Sequence, residues 1–319
     1  MAESTLTPEG LEVVATGLRF PEGPIAMPDG SLILVEIERQ TLSRVTPDGA
    51  VEVIAELGGG PNGAAMGPDG RCWVCNNGGM LFAEVRGKLY PGHQPPDYVG
   101  GSIQAVDLET GEVETIYTSA TGKDGGEVQL RGPNDLVFDR DGGFWFTDHG
   151  KTRDRERDRT GVFYAKADGS HVEEVIFPLE GPNGIGLSPD EDEVYIAETP
   201  TGEIWAYELS APGTLLGERR DKPDGGRLLR GREGFFMFDS LAMDADGNVC
   251  VATIVDGGVT ILSPRGEPAR FVPMPDRITT NICFGGDDLR TAYVTLSSTG
   301  QLVKVPWETA GLPLNHLNV

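Results

Sequence analysis

The sequence is short of cysteine, histidine and basic residues, and each shortage removes a class of function. Four cysteines in 319 residues make no disulfide framework, and a chain of this length buries a sizeable core without staples. Cys72 and Cys75 flank Trp73-Val74 in what reads as a strand, where positions three apart point to opposite faces and make a poor zinc or redox pair. They are expected as small, buried, reduced side chains in a cytoplasmic protein. With only four histidines, no His-Cys cluster favours zinc. Lys and Arg number 26 against 50 Asp and Glu, a net charge of -24 with a pI near 4.4. Such a chain repels phosphate backbones and anionic membranes, which argues against nucleic-acid binding by counterion release. No apolar run approaches the roughly 20 residues of a membrane helix, and Met1 to Gly10 has neither the basic start nor the apolar core of a signal peptide.

What is abundant is turn chemistry: 45 glycines and 23 prolines, with alternating apolar runs between them. The tripeptide Gly-Pro-Asn occurs at Gly60-Pro61-Asn62, Gly132-Pro133-Asn134 and Gly181-Pro182-Asn183. Each copy leads into a small or apolar run, a turn of the Asp-Gly kind, and an aromatic or β-branched run. Asp-Gly between alternating runs is a strong hairpin signal.

The unit recurs six times along the chain. The first copy begins at Phe20-Pro21-Glu22 and holds strands at Ser31 to Glu36, Thr41 to Val45 and Val51 to Ala55. The second opens at Pro61-Asn62-Gly63, the third at Gly132-Pro133-Asn134, and the fourth at Asn183 with Glu193 to Glu198 and Glu203 to Glu208. The fifth begins at Phe238-Asp239-Ser240 and the sixth at Thr280-Asn281-Ile282, with Leu11 to Ala15 left over to close a ring beside the last copy. The fold class this predicts is all-β: a single domain over 1–319, a six-bladed β-propeller of four-stranded antiparallel blades around a central metal-binding channel. The second copy is interrupted from Met80 to Val99, a stretch without periodicity that carries Tyr90, His93 and Tyr98 and is expected to lie as a lid over an edge or opening. The charge run Lys151 to Arg159 reads as a solvated loop that could also steer anions.

If the blades are equivalent, Glu22, Asn62, Asn134, Asn183, Asp239 and Asn281 all fall where the innermost strand begins, near the channel. Two carboxylates and four amides would face one another there. Buried carboxylates are costly, and a hard cation with oxygen ligands satisfies them. Calcium tolerates irregular geometry and amide oxygens and is the preferred expectation; magnesium demands tighter geometry. Taken singly, an Asn at a turn bonds its own backbone; six aligned positions including both acids argue for a site.

Those residues carry a family resemblance. Pro21-Glu22-Gly23, Asn134-Asp135 before an Asp-Gly turn, Pro182-Asn183-Gly184, and Asp239 before Asp244-Ala245-Asp246-Gly247 together resemble the SMP-30/gluconolactonase/luciferin-regenerating-enzyme family of regucalcin-like propellers, over roughly Gly17 to Val305. The resemblance implies Glu22, Asn183 and Asp239 as metal ligands, with Asn134 joining the shell or contacting substrate. It also implies a divalent cation, calcium, zinc, manganese or magnesium, and hydrolysis of a sugar lactone or related small lactone. Asp239 and Asn134 are then the expected catalytic groups, Asp239 as general base or proton shuttle. Asn62, Asn281, His149, Tyr90 and His93 are the expected substrate contacts. An organophosphate or other ester hydrolase on the same site, and a non-catalytic calcium-binding propeller, are the alternatives. The expected partner is a small molecule, with oligomeric state left open.

Overall fold

Turns of the Pro-Asp-Gly type cut the chain into short strands, and a computed structural model describes residues 7–217, 221–230 and 234–318. No helix occurs among them, and none therefore is long and apolar enough to cross a membrane. Blade 1 is the antiparallel sheet Pro21–Ala26, Leu32–Glu36, Thr41–Val45 and Val51–Glu56, paired in chain order. Blade 2 repeats it with Pro61–Met66, Cys72–Asn76, Ser102–Val106 and Val113–Tyr117, and blade 5 with Met237–Met243, Val249–Ile254, Gly258–Leu262 and Pro268–Pro273. Blade 6 takes Thr279–Gly285, Thr291–Leu296 and Gln301–Pro306 from the end of the chain and Glu12–Thr16 from its start, with Thr16 opposite Gln301. That pairing closes the ring and leaves no open sheet edge between first and last blades.

Two blades depart from the expected four strands. Blade 3 (Pro133–Phe138, Gly143–Asp148, Thr160–Lys166, Val172–Leu179) gains the hairpin Ser119–Thr121 and Glu127–Gln129 at its outer edge, joined by a parallel bridge between Thr121 and Glu173. Blade 4 (Pro182–Leu187, Glu193–Glu198, Glu203–Ala211, Arg227–Arg230) gains Thr214–Leu215. The 80–99 segment is also more ordered than its lack of periodicity suggests: Phe82–Val85 and Lys88–Pro91 pair as a hairpin. Its inward face packs Phe82 against Phe20, with ring centroids 5.0 Å apart, and buries Leu89 among Phe20, Ile37 and Ile278. Leu89 N–H donates to the Ser298 carbonyl, so the hairpin lies over the ends of blades 1 and 6.

The core sits between blades, where one sheet's side chains pack on the next. Trp73 of blade 2 meets Phe138 and Phe144 of blade 3, and Trp145 and Trp205 are buried in the cluster between blades 3 and 4, so these three of the four tryptophans are core, as is Trp307. The four cysteines are free and buried.

The inner strands touch in cyclic order, blade 1 to 2 and onward until blade 6 meets blade 1. They run from the hairpin face to a second face crossed by the C-terminal tail. There Leu312 N–H donates to the Met243 carbonyl, while Asn315 Nδ2 donates to the Phe138 carbonyl and to Glu191 Oε1, 2.7 Å away. Between them lies a cavity of about 510 Å³ lined by Ile25, Met66, Leu136, Ile185, Leu241 and Ile282, with tail leucines joining the wall.

Candidate active site in the channel

One local irregularity, repeated in every blade, aims the expected residues. The pairing of the innermost strand with its neighbour shifts register between Glu22 and Ile25, Pro61 and Ala64, Pro133 and Leu136, Pro182 and Ile185, Phe238 and Leu241, and Thr279 and Asn281. A bulge frees a residue from the ladder and re-aims its side chain. Each bulge falls on or beside one of the six polar positions, and all six side chains are buried. The blades approach so closely there that the next residue is often glycine. A Cβ on Gly23 would stand 2.6 Å from the Asn62 carbonyl oxygen, and one on Gly184 would stand 2.6 Å from the Asp239 carbonyl oxygen, which excludes any side chain.

Glu22 is fully enclosed; its Oε2 accepts from Gly23 N–H at 2.9 Å and from Asn281 Nδ2 at 2.7 Å. Asn281 Oδ1 in turn accepts from Ile282 N–H, so both ends of that amide are used in holding Glu22. Asn183 donates Nδ2 to Thr199 Oγ1 at 3.0 Å and leaves Oδ1 with only a long contact of 3.4 Å from Ser240 Oγ. Thr147 Oγ1 ties blade 3 to blade 4 by donating to the Asn183 carbonyl. Asn134 Oδ1 is buried without any hydrogen-bond partner. Asn62 lies buried in the same ring.

Sequence reasoning missed a third carboxylate. Asp135 stands where blades 1, 2 and 4 have Gly23, Gly63 and Gly184, and that departure from the repeat was the available signal. It accepts from Leu136 N–H, and its backbone N–H donates to Thr147 Oγ1. Burial and then the field of Glu22 push its carboxyl up to about 7. Burial likewise raises Glu22, and raises Asp239 well above the usual carboxylate range, with Glu22 and Asp135 adding repulsion. Among the described residues no cationic side chain counters any of the three.

These facts test whether a cation fits. Among the described residues no three His, Cys, Asp or Glu side chains are grouped closely enough to hold a metal by themselves. A cation held here would need a mixed donor set, the carboxylates of Glu22 and Asp239 with the amide oxygens of Asn183 and Asn134, one of which is an orphaned buried acceptor. Buried carboxylates without a cationic partner, in one ring with an unsatisfied amide oxygen, suit a hard cation that takes oxygen ligands.

The structure places the remaining expected residues at the hairpin end of the channel or outside it. His149 follows the second strand of blade 3, with its N–H on the Gly132 carbonyl and its Nε2 3.0 Å from Arg157 Nη2. Desolvation and then the positive field of Arg157 and Lys151 hold this imidazole neutral, its pKa lowered to about 3. Tyr90 alternates with buried Leu89 and is 40% exposed, on the outward side of the hairpin. His93 is exposed and pairs with Asp154, 3.2 Å away. Tyr98 donates to the Arg131 carbonyl, which ties the segment to blade 3. The structure does not bring Tyr90 or His93 into the buried ring. The charge run is not simply solvated: Lys151 is buried, donating Nζ to Asn77 Oδ1 at 2.9 Å and to the Gly79 carbonyl at 2.7 Å. That contact fastens the run to the base of the 80–99 segment.

Fold and site together define a six-bladed propeller with a ring of oxygen donors where its inner strands begin. The sequence profile of the SMP-30/Gluconolactonase/LRE-like region matches residues 20–298, and the chain belongs to that family. It is similar to a gluconolactonase of Zymomonas mobilis, 27% identical over 94% of this chain and 82% of the relative. It is also similar to lactonase drp35 of Staphylococcus saprophyticus, 29% identical over 84% of this chain and 73% of the relative. The solved structure of a gluconolactonase from Xanthomonas campestris superimposes with a TM-score of 0.72 at 22% identity, covering 93% of this chain and 89% of that one. At that identity the likeness speaks for the fold.

Proposed function

We propose that this chain is a lactonase-type hydrolase that opens a sugar lactone or related small lactone in the propeller channel, with a divalent cation held by Glu22, Asp239, Asn183 and Asn134. The observation that carries this reading is the pairing of two enclosed carboxylates, which no cationic side chain among the described residues counters, with the orphaned Asn134 Oδ1, inside a family whose relatives include a gluconolactonase and a lactonase. The all-oxygen donor set favours calcium, with manganese, magnesium and zinc as the alternatives.

When bound, the cation supplies Lewis-acid polarisation of the lactone carbonyl. The chain's own residues do the rest. Asp239, whose burial raises its affinity for a proton, takes the proton of the attacking water at a carboxylate oxygen and returns it to the ring oxygen that leaves. Asn134 and Asn62 orient the substrate by hydrogen bonds, and Asn281 holds Glu22 in position. The narrow, buried ring keeps bulk water from competing for these contacts.

The test is a pH-indicator screen of sugar, aliphatic and aromatic lactones with calcium, manganese, zinc and magnesium, with an aryl ester and an organophosphate alongside. Acid release from a lactone that is lost after chelation and lost in Asp239→Asn, with the fold intact by circular dichroism, is the expected result. Cation binding without turnover of any lactone or ester would favour a non-catalytic propeller, and undiminished turnover by metal-free protein would overturn the metal role.

A further inference from the structure

The run from Lys151 to Arg159 folds back over the channel end between blades 3 and 4 and sets an unpaired guanidinium there. Arg157 Nη2 donates to His149 Nε2 at 3.0 Å. That bond makes Nε2 the acceptor and assigns the imidazole proton to Nδ1. Arg157 Nε is a buried donor without a partner among the described residues, while the His149 ring has the Pro182 carbonyl as its backbone neighbour. Buried donors are normally satisfied, and a guanidinium donor left open marks where a ligand can complete the network.

The pair stands beside the ring. A Cβ on Gly181 would fall 1.8 Å from Arg157 Nη2 and 3.2 Å from His149 Cε1, so the guanidinium lies directly over the Gly181-Pro182-Asn183 turn that delivers Asn183. The His149 backbone N–H donates to the Gly132 carbonyl, which ties this residue to the matching turn that delivers Asn134.

The neighbouring carboxylates are all engaged elsewhere. Glu180 and Glu198 are the ones whose field reaches Arg157. Glu180 pairs with Arg159 at 2.9 Å, and Glu198 accepts from Glu180 N–H, Thr201 and Trp205. Asp158 is taken by Arg153 and by Lys151 N–H, and Asp148 by the backbone N–H groups of Arg131, Gly132 and Gly150. Among the described residues Arg153 and Arg159 thus have carboxylate partners and Arg157 does not, although the chain carries 50 acidic residues against 26 basic ones. Lys151, close by, is likewise held by neutral oxygens.

We propose that Arg157, positioned by His149, binds an anionic oxygen group on the substrate, a carboxylate, phosphate or sulfonate displayed away from the scissile ester, so that the enzyme selects acidic lactones over neutral ones; this rests on the hydrolase reading above. His149 Nε2 holds one arm of the planar guanidinium, which leaves the remaining donors of Arg157 for the oxygens of an anion.

The test uses full-length protein, wild type, Arg157→Gln and Arg157→Lys, and two lactones of one ring type: D-glucono-1,5-lactone and its 6-phosphate. The expected result is that Arg157→Gln lowers the ratio of kcat/KM for the acidic lactone over the neutral one by about 10- to 100-fold, mainly through KM, with Arg157→Lys recovering part of it. Loss in equal proportion on both lactones overturns the proposal and leaves the hydrolase standing. If wild type opens neither, calorimetry with glucarate and gluconate decides: tighter binding of the dianion that Arg157→Gln abolishes keeps the anion site without the hydrolase, and equal binding removes it.

Discussion

Asn281 Nδ2 donates to Glu22 Oε2 at 2.7 Å across 259 positions of the chain. The bond joins blade 6 to blade 1 at the level of the ring, and it orients the carboxylate that a cation would need. A residue that fixes a ligand from behind changes affinity more than it changes the fold. Asn281→Ala is expected to weaken calcium binding by about 10- to 100-fold while leaving the circular dichroism spectrum in place. Isothermal calorimetry on the metal-stripped protein reads this directly; unchanged affinity would show that Glu22 needs no such support.

The same ring gathers charge that is costly to bury. Glu22 and Asp239 are enclosed together with Asp135, and burial and mutual repulsion hold all three above their ordinary range. Removing one charge relieves desolvation and repulsion at once. We expect Glu22→Gln to stabilise the metal-free protein by about 1–3 kcal/mol and to abolish the extra stability that added calcium gives wild type through linkage. Urea unfolding with and without a chelator tests both halves. A variant less stable than wild type in chelator would mean that the carboxylate is satisfied within the protein.

The ring was legible in the sequence because the bulge that forms it recurs at one point of every repeat, and a polar residue marks it each time. Glu22, Asn134, Asn183 and Asp239 could therefore be aligned without coordinates. Asp135 was hidden because it follows a repeat residue and reads as ordinary turn chemistry; only the closed ring sets it in the field of Glu22. Lys151 and Arg157 were hidden for a different reason. Nine residues rich in both signs of charge look solvated by composition, and the contacts that draw Lys151 inward, to Asn77 and Gly79, span 74 and 72 positions. The hairpin Ser119–Thr121 with Glu127–Gln129 was missed because strands of three residues are too short to show alternation.

His149 gives a pH signature with a definite sign. Its pKa falls from 6.5 to about 3 in the folded protein, by burial first and then by Arg157 and Lys151. The backbone N–H of Lys151 and the Arg153 guanidinium hold Asp158 of the same loop. Between pH 6.5 and 3 the unfolded chain binds a proton at this position that the folded chain refuses. Stability from this group is thus complete above about pH 6.5 and is lost as the pH falls, at up to about 1.4 kcal/mol per pH unit. Other carboxylates titrate in the same window, so the comparison has to be between wild type and His149→Gln, whose side-chain carbonyl can still accept from Arg157. The difference in unfolding free energy, wild type minus variant, is expected to decline steadily from pH 7 to pH 4. A difference that stays flat would place His149 in water, able to take its proton without leaving the fold.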